Sequence, residues 1–309
     1  MQIDSGLDTL KRLRQNSVLS IGNFDGVHVG HQKILSTARQ LADKLKSELV
    51  VMTFEPHPTT VLRPELAPPR LSALELKREL LAALRVDRLI ELAPTREVLS
   101  LEAAEFYRHL KDARIAHLVE GNDFNFGKAR GGNIMLLKEW CRHDSISLDV
   151  VEHAQVMLGS SSVSVSSSLI RSLLTGGDVS AARTCLGRPF RMISNVIHGD
   201  ERGRTLGYPT ANLDPADQVV PDHGVYFGAT MLDDKKYRVA ISIGSKPTFD
   251  GIETTVEAYV LDFKGDLYDK PFQLDFIDRI RGQEKFDGVE SLKKAIARDV
   301  EQVRDATLN

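Results

Sequence analysis

The stretch from Ile21 to His31 places the tightest constraint on the fold of this chain. It reads Ile-Gly-Asn-Phe-Asp-Gly-Val-His-Val-Gly-His and follows a short apolar run over residues 18–21. After it, apolar residues recur on one face at helical spacing, namely at Ile34, Leu35, Ala38, Leu41, Ala42 and Leu45. This order predicts a strand, a tight turn and a helix.

The composition of the turn indicates an anion-binding site. Gly22, Gly26 and Gly30 allow the backbone to approach a ligand closely. At the start of a helix, amide groups without an intrahelical partner and the positive end of the helix dipole attract anions. The imidazoles of His28 and His31 add donors or positive charge at the same place. This combination favours a nucleoside triphosphate as the ligand.

The alternative is a structural turn with incidental histidines. Seven fixed positions at background usage coincide by chance about once in 10⁹ starting points. A shorter fragment, Phe-Asp-Gly, recurs at residues 249–251 and 286–288, and no histidine pair follows either copy. The full stretch is therefore far more specific than its fragment.

Length, charge and cysteine count bound the class of protein. The chain has 309 residues, enough for two domains with separate cores, and a formal net charge of -3. Such a charge provides no broad field for nucleic acid or a membrane surface, so we expect neither as a partner and expect small-molecule substrates. Cys141 and Cys185 lack a Cys-x-x-Cys spacing, which indicates free thiols in a reducing compartment. With no bilayer-length apolar run and no signal peptide, the prediction is a cytoplasmic protein of undefined oligomeric state.

Residues 1–186 alternate between apolar runs of strand length and helical patterns. Strands are predicted near residues 18–21, 48–54, 86–92, 116–120 and 148–151, which favours a parallel sheet covered on both faces. Ligands bind beyond the carboxyl ends of the strands in such sheets. The unusual segments are predicted to meet there in one cleft, and they comprise residues 22–31, 53–58, 121–130 and 166–171.

Two of these segments contain side chains that suit a flavin. Phe54, Phe124 and Phe126 offer flat apolar surface for a tricyclic ring. Core packing is an equally good explanation for any single one of them. Asn125 presents both a donor and an acceptor to a flavin phosphate or ring edge.

The last segment suits a polyphosphate. Ser167 and Ser168 are predicted to open a helix that carries Arg171. Hydroxyls, helix amides and a guanidinium together are typical of a polyphosphate site. A plain N-cap serine explains one of these three features, but not all of them together.

At this point the motifs resemble a known family. Gly-x-Phe-Asp-Gly-x-His-x-Gly-His is similar to the signature of the adenylyltransferase half of bacterial bifunctional riboflavin kinase/FAD synthetases, and the Thr-Phe-Glu-Pro-His-Pro, Gly-Asn-Asp-Phe-x-Phe-Gly and Ser-Ser-Ser-x-x-Arg segments match later motifs in order. The resemblance implies a Rossmann-like α/β nucleotidyltransferase domain that joins FMN to ATP, with magnesium bound. It implies ATP contacts at Gly22, Phe24, Asp25, Gly26, His28, His31, Ser167, Ser168 and Arg171, and flavin contacts at Phe54, Pro56, His57, Phe124, Asn125 and Arg130.

One position departs from the family pattern. Many members carry an arginine shortly before the serines, where this chain has Ser164. Arg130 is a candidate for the phosphate contact that this arginine would make.

A different pattern begins near residue 187, where we predict the boundary between domains 1–186 and 187–309. Short alternating runs lie at 225–229, 237–243, 254–261 and 272–277, separated by glycine and proline turns. They predict an antiparallel barrel or sandwich. A last helix should pack on it through one stripe of apolar residues, formed by Val289, Leu292, Ile296, Val300 and Val303.

The glycine-rich stretch from residue 199 to residue 212 is the chemical motif of this half. Its glycines and arginines suit a phosphate-binding loop, although the chain contains neither Gly-x-x-x-x-Gly-Lys-Ser/Thr nor a protein-kinase signature. Extended backbone after Pro209 turns Thr210 and Asn212 to the same side, where both offer hard oxygen donors to magnesium. A Ser/Thr or Asx turn entering a strand is the alternative.

Glu257 is the candidate general base. On the predicted strand it shares a face with Tyr259, opposite Val256, Ala258 and Val260. A solvated surface glutamate is the ordinary explanation.

The second half is similar to the riboflavin kinase module of the same family. The matching motifs are Gly-Arg-x-Leu-Gly-Tyr-Pro-Thr-Ala-Asn-Leu, Gly-Val-Tyr, Ser-Ile-Gly-x-x-Pro-Thr-Phe and Val-Glu-x-x-x-Leu-Asp. The resemblance implies a six-stranded barrel in which Glu257 deprotonates the ribityl 5′-hydroxyl of riboflavin, with Thr210 and Asn212 at magnesium. It implies ATP contacts at Gly203, Arg204, Gly207, Pro209, Thr210 and Asn212.

Three functions remain open on these residues. The chain makes FMN and then FAD, or it only adenylylates FMN while the barrel binds flavin, or it senses flavin without turnover. Thr210, Asn212 and Glu257 favour the first, because a binding module needs no base, and the intact pair His28 and His31 disfavours the third.

Overall fold

The computed structural model describes residues 1–113, 115–198, 207–248, 251–268 and 270–308. The chain divides into two compact units, one of residues 1–68 with 74–165 and one of residues 69–73 with 166–309. Among the described residues, no helix combines the length and apolar composition needed to cross a membrane.

Among its described residues, the first unit contains ten strands and six α-helices. The strands are β1 (Gln2–Ser5), β2 (Val18–Ile21), β3 (Leu49–Phe54), β4 (Arg88–Leu92), β5 (His117–Gly121), β6 (Asn125–Phe126), β7 (Gly132–Asn133), β8 (Ser147–Val151), β9 (Gln155–Leu158) and β10 (Ser161–Ser164). The helices are α1 (Val29–Leu45), α2 (Thr59–Leu62), α3 (Leu74–Ala83), α4 (Arg96–Leu99), α5 (Ala103–Asp112) and α6 (Ile134–His143).

Six of these strands form one parallel sheet in the order β1-β4-β3-β2-β5-β8. Successive residues of β2 face opposite layers, so that Leu19 packs in a cluster with Phe106 of α5 and Leu137 of α6. Val18 packs in another with Leu35 of α1. The prediction of a parallel sheet covered on both faces is therefore confirmed.

The order in which the chain adds strands to the sheet reverses at β2. From β2 the chain proceeds to β3 and β4 on one side, whereas β5 and β8 lie on the other side of β2. The β2–β5 pairing ends with Leu19 and Leu118, and beyond it the amide of Ile21 donates to Glu120 Oε1 at 2.9 Å. Ligands of open α/β sheets bind at such a reversal, outside the carboxyl ends of the strands. The loops after β2 and β5 are therefore in the position expected of a site.

The second unit contains a closed antiparallel barrel. Helices α7 (Ser167–Thr175) and α8 (Val179–Leu186) precede the barrel in this unit, and α9 (Val289–Asp305) follows it. The barrel order is β11-β12-β15-β14-β13-β16, formed by β11 (Phe190–Ile197), β12 (Ala211–Asp214), β13 (Gly224–Leu232), β14 (Lys235–Thr248), β15 (Gly251–Val260) and β16 (Pro271–Gly282). The six-stranded barrel with a terminal helix is confirmed.

The terminal helix packs on one face of the barrel strands. Val300 and Val303 of α9 are buried in a cluster with Phe227 and Ile277. Val289, which the predicted stripe included, is instead 63% exposed because it lies in the first turn, before the helix reaches the barrel cluster.

Candidate active sites

The turn after β2 follows a strained left-handed path. Phe24 and Val27 have φ angles of 47° and 39°, and Gly26 has 77°. A non-glycine residue in this region costs on the order of 1–3 kcal/mol, and such residues cluster at functional sites. Phe24 itself is only 2% exposed, and its ring meets that of His31 edge-on with 5.2 Å between the ring centroids. Its side chain thus supports His31.

The two histidines form a stacked pair at the start of α1. The ring centroids of His28 and His31 are 3.6 Å apart, with 18° between the planes. His28 caps the helix, because its Nδ1 accepts from the His31 amide at 3.4 Å. This bond leaves the proton of a neutral His28 ring on Nε2. A Cβ atom at Gly30 would lie 3.0 Å from the His28 ring, so the glycine between the histidines makes the stacking possible.

His31 occupies an environment that opposes a positive charge. Its Nδ1 is buried and has no hydrogen-bond partner among the described residues. Burial, followed by the proximity of His28 and Lys77, holds the pKa of His31 well below its ordinary value. The ring is therefore neutral at physiological pH.

The segment after β3 is joined to the histidine turn through Asn23. Thr53 Oγ1 donates to the Asn23 carbonyl at 3.0 Å. His57 Nδ1 accepts from the Thr59 amide at 3.2 Å, so a neutral His57 carries its proton on Nε2. That Nε2 lies 3.1 Å from Asn23 Nδ2, which brings the His57 ring against the histidine turn. Pro56 precedes His57 in this segment.

A buried ion pair next to this segment was missed at the level of sequence. Lys77 Nζ of α3 lies 2.9 Å from Glu55 Oε2, and the two side chains are 5% and 11% exposed. Helix α3 packs against the turn at residues 25–27. The only sequence signal was the position of Glu55 inside the Thr-Phe-Glu-Pro-His-Pro motif, because no linear pattern pairs it with α3.

The structure separates the phenylalanines of this unit by burial. Phe126 is 6% exposed and lies in the core, with Phe106 and Trp140 around it. Phe124 is partly exposed and stacks on Phe126 with 5.6 Å between centroids. Phe54 is also partly buried at the edge of the core. Phe54 and Phe124 thus retain surface for a ligand.

Two polar residues that follow β5 are also accessible to a ligand. Asn125 and Arg130 are exposed, and Arg130 adopts a left-handed φ of 60° shortly before α6.

The serines and Arg171 belong to the second unit. Ser166 caps α7 by accepting from the Leu169 amide at 3.2 Å. Ser167 and Ser168 form the first turn of α7, and Arg171 Nε donates to the Pro69 carbonyl at 2.7 Å. Ser164, at the departure from the family pattern, accepts from Gln155 Nε2 at 2.6 Å.

A second constellation lies on the barrel. Asn212 of β12 and Glu257 of β15 are register partners, and Thr210 Oγ1 donates to Glu257 Oε2 at 3.3 Å. Val256, Ala258 and Val260 are buried, which confirms the predicted alternation around Glu257. Thr210 and Asn212, two residues apart in the sequence, and the distant Glu257 thus present oxygen atoms at one place.

A cleft of 390 Å³ includes Thr210 of this group in its lining, but neither Asn212 nor Glu257. It is lined by Val196, Pro209, Thr210, Ala211, Ala258, Val260, Phe263, Gly265, Asp266, Leu267 and Tyr268. Tyr268 stacks on His198 with 4.2 Å between centroids. Gly207 has a left-handed φ of 88°, whereas Gly203 and Arg204 lie outside the described residues.

Comparisons with known proteins match both halves of the chain. A family model for FAD synthetase matches residues 10–168, and one for riboflavin kinase matches residues 186–307. A crystal structure described as a macrolide-efflux protein from Streptococcus pneumoniae has a TM-score of 0.88 and 31% identity, covering 99% of this chain and 100% of that one.

Curated relatives match over nearly their full length. A bifunctional riboflavin kinase/FMN adenylyltransferase from Pseudomonas fluorescens is 37% identical, with 98% of this chain and 97% of the relative covered. The protein of the same name from Escherichia coli K12 is 35% identical, with 97% and 96% covered. The chain therefore belongs to the family of bifunctional riboflavin kinase/FMN adenylyltransferases.

Proposed function

We propose that this chain phosphorylates riboflavin to FMN in residues 187–309 and adenylylates FMN to FAD in residues 1–186, with ATP as the donor in both reactions. The observation that carries this proposal is the presence of two separate constellations, each within the range that the corresponding family model matches. One is the imidazole pair at the start of α1. The other is the Thr210–Glu257 contact beside the barrel cleft. The proposed boundary follows α8, which ends at Leu186.

Adenylyl transfer requires the FMN phosphate to attack the α-phosphorus of ATP, with pyrophosphate leaving. Two anions repel each other, so positioning against fixed donors carries most of the rate, and well-aligned reactants gain effective molarities of about 10⁵–10⁸ M. In this proposal His28 and His31 donate through Nε2–H to the ATP phosphates, together with the first amides of α1. Gly22, Asp25 and Gly26 shape the turn that receives them.

The remaining assignments of this half follow from side-chain chemistry. The rings of Phe54 and Phe124 and the imidazole of His57 contact the flavin, and Pro56 fixes the backbone between them. Asn125 and Arg130 bind polar groups of FMN, with Arg130 in the role that the family arginine has elsewhere. The phosphates of ATP also engage Ser167, Ser168 and Arg171.

In the kinase reaction the ribityl 5′-hydroxyl of riboflavin attacks the γ-phosphorus of ATP. Glu257 accepts the hydroxyl proton, and its partial burial beside Thr210 keeps the carboxylate in one orientation. The nucleotide occupies the cleft beside Pro209 and Gly207. Gly203 and Arg204 complete its phosphate contacts in this proposal.

Magnesium fits the residues of this site. Thr210 and Asn212 supply hard oxygen ligands next to a carboxylate, and magnesium usually takes only a few protein ligands together with phosphate oxygens and water. When bound it neutralises charge on the transferring phosphates.

We place both reactions in the cytoplasm, since both cysteines are buried free thiols.

One assay tests the proposal. The purified chain is incubated with riboflavin, ATP and magnesium, and in a parallel reaction with FMN in place of riboflavin. The proposal expects FMN, FAD and ADP with pyrophosphate in the first reaction, and FAD with pyrophosphate in the second. FAD from FMN without FMN from riboflavin would reduce the barrel to a flavin-binding module, and no product in either reaction would overturn both activities.

A further inference from the structure

The buried ion pair between Lys77 and Glu55 needs an explanation beyond fold stability. Lysine and glutamate are rarely buried unless paired, and these side chains are 5% and 11% exposed. Desolvating two charges often costs more than their attraction returns, so an apolar pair of similar volume would serve the core at least as well. A charge pair at this place therefore suggests a task at the neighbouring site.

The pair lies between two parts of the adenylyl-transfer site. Glu55 is the first residue after β3 and stands two residues before His57, which contacts Asn23 of the histidine turn. Lys77 is on α3, which packs against the turn at residues 25–27. The pair thus ties the segment after β3 to the helix that supports the histidine turn.

Two titratable groups act on His31 directly, namely His28 at the start of α1, which stacks on its ring, and Lys77 on α3. Glu55 after β3 is paired with Lys77, and Asp25 is buried in the histidine turn. Glu120 of β5 lies under the same turn, where it accepts from the Ile21 amide, and burial raises its pKa well above the ordinary value, which keeps it neutral. Lys77 is within electrostatic reach of His31, since its charge is among the causes, after burial and His28, that lower the pKa of His31.

The lowered pKa of His31 matters because its Nδ1 atom is buried. A protonated ring carries N–H on both nitrogens, and Nδ1 has no hydrogen-bond partner among the described residues. Protonation would therefore bury an unsatisfied donor, which is costly. In the neutral ring Nδ1 bears only a lone pair, and the proton is on Nε2, where it is available to a phosphate oxygen.

We propose that Lys77, paired with Glu55, is a positioning residue of the adenylyl-transfer site that fixes the segment after β3 against the histidine turn and places a positive charge within reach of the His31 ring. This inference rests on the proposed function of the first unit. Lys77 acts through His31 and Glu55, and it contacts no substrate in this role.

Four variants distinguish the effect of the charges on Lys77 and Glu55 from the effect of their packing. Lys77→Met removes the cation and leaves Glu55, whereas Glu55→Gln removes the anion and leaves Lys77. The double variant Lys77→Met/Glu55→Gln removes both charges, and replacing a whole buried pair is better tolerated than breaking it. Lys77→Arg keeps the cation. The fluorescence of Trp140, which packs against the core of the first unit, reports whether that unit is intact in each variant.

The primary measurement is the NMR titration of the His31 ring, assigned by loss of its signal in His31→Gln. Lys77→Met should raise the midpoint, since removing a nearby positive charge favours the protonated ring. Glu55→Gln should shift it in the opposite direction, and the double variant and Lys77→Arg should stay near the parent chain. If Lys77→Met fails to fold, the comparison between Glu55→Gln and the double variant isolates the same charge.

The kinetic measurement is adenylyl transfer with FMN supplied. Lys77→Met should lower kcat about 10–100-fold, as expected for loss of reactant positioning, with kinase turnover unchanged and most of the activity kept by Lys77→Arg. A His31 midpoint that is the same in all folded variants would overturn the inference. Absence of FAD formation by the parent chain would instead overturn the proposed function, so the two failures are distinguishable.

Discussion

Asn212 and Glu257 face each other across neighbouring barrel strands, and Thr210 adds a hydroxyl 3.3 Å from the Glu257 carboxylate. A carboxylate held by a hydroxyl that immediately precedes the adjacent strand has few rotamers left, which is the preorganisation that a general base needs. The same geometry places two neutral oxygen donors beside the base, where a cation and phosphates would assemble. Removal of the base and removal of a ligand should therefore have different kinetic signatures.

The first prediction concerns the base. Glu257→Gln keeps the shape of the side chain and its contact with Thr210, but it no longer accepts a proton. We expect riboflavin kinase turnover to fall on the order of 10²–10⁴-fold, while FAD formation from supplied FMN is unchanged. Glu290→Gln, at an exposed position of α9, is the matched control and should leave both activities intact. Unchanged kinase turnover in Glu257→Gln would remove this residue from the role.

The second prediction concerns the histidine pair. His31→Ala removes one donor aimed at the phosphates, and loss of such a donor typically costs about 10²–10³ in turnover. Adenylyl transfer should fall by that factor, and riboflavin phosphorylation should persist, so that FMN accumulates from riboflavin. His153→Ala, an exposed histidine of the same unit, should still form FAD at the normal rate. Equal loss in the two variants would argue against a specific role for His31.

The third prediction separates ligand binding from packing in the aromatic pair. Phe124 is partly exposed, so Phe124→Ala should raise the KM for FMN about tenfold through lost stacking and leave folding almost unchanged. Phe126 is a core residue, and Phe126→Ala should instead lower the free energy of unfolding by about 3–5 kcal/mol. Steady-state kinetics with FMN and urea unfolding followed by circular dichroism distinguish these outcomes. A stability loss of the same size in both variants would contradict the separation.

The sheet and the barrel were predictable because apolar periodicity reports burial directly. The buried strand β2 and its helix α1 lie where the pattern placed them. Strand β1 was missed because it is a mostly exposed edge strand, Gln2–Ser5, whose polar composition has no apolar run. Its pairing with β4 is a property of the assembled sheet.

The site was predictable only as far as its motifs extend. The histidine turn and the Thr210/Asn212 pair are local, and their residue types carry the signal. Lys77 lies in an ordinary amphipathic helix, and its pairing with Glu55 arises from the packing of α3 beside β3. Phe24 was predicted from its motif as a ligand contact, and nothing in the sequence showed that its ring would be buried under His31.

The last prediction follows from Glu120, which is 1% exposed and accepts from the Ile21 amide where β2 and β5 separate. Burial raises its pKa well above the ordinary value, and only the hydrogen bond from Ile21 opposes this. The folded state therefore holds a proton that the unfolded chain releases above about pH 4.3. The contribution of Glu120 to stability is fully present below that pH and is lost as the pH rises toward the pKa of the folded state, with a slope of at most about 1.4 kcal/mol per pH unit.

Glu120→Gln retains an oxygen that accepts from Ile21 and has no proton to lose. Its free energy of unfolding should match that of the parent chain near pH 4 and exceed it increasingly as the pH rises, because only the parent must bury a charge or hold a proton against its release. The single tryptophan, Trp140, lies in the core of the first unit, so its fluorescence in urea follows the relevant transition. Glu97→Gln, at an exposed position of the same unit, should track the parent chain at every pH. If Glu120→Gln kept the pH slope of the parent, the carboxyl would already be charged in the fold, and the crevice beside the histidine turn would contain an additional negative charge that repels the phosphates it is proposed to bind.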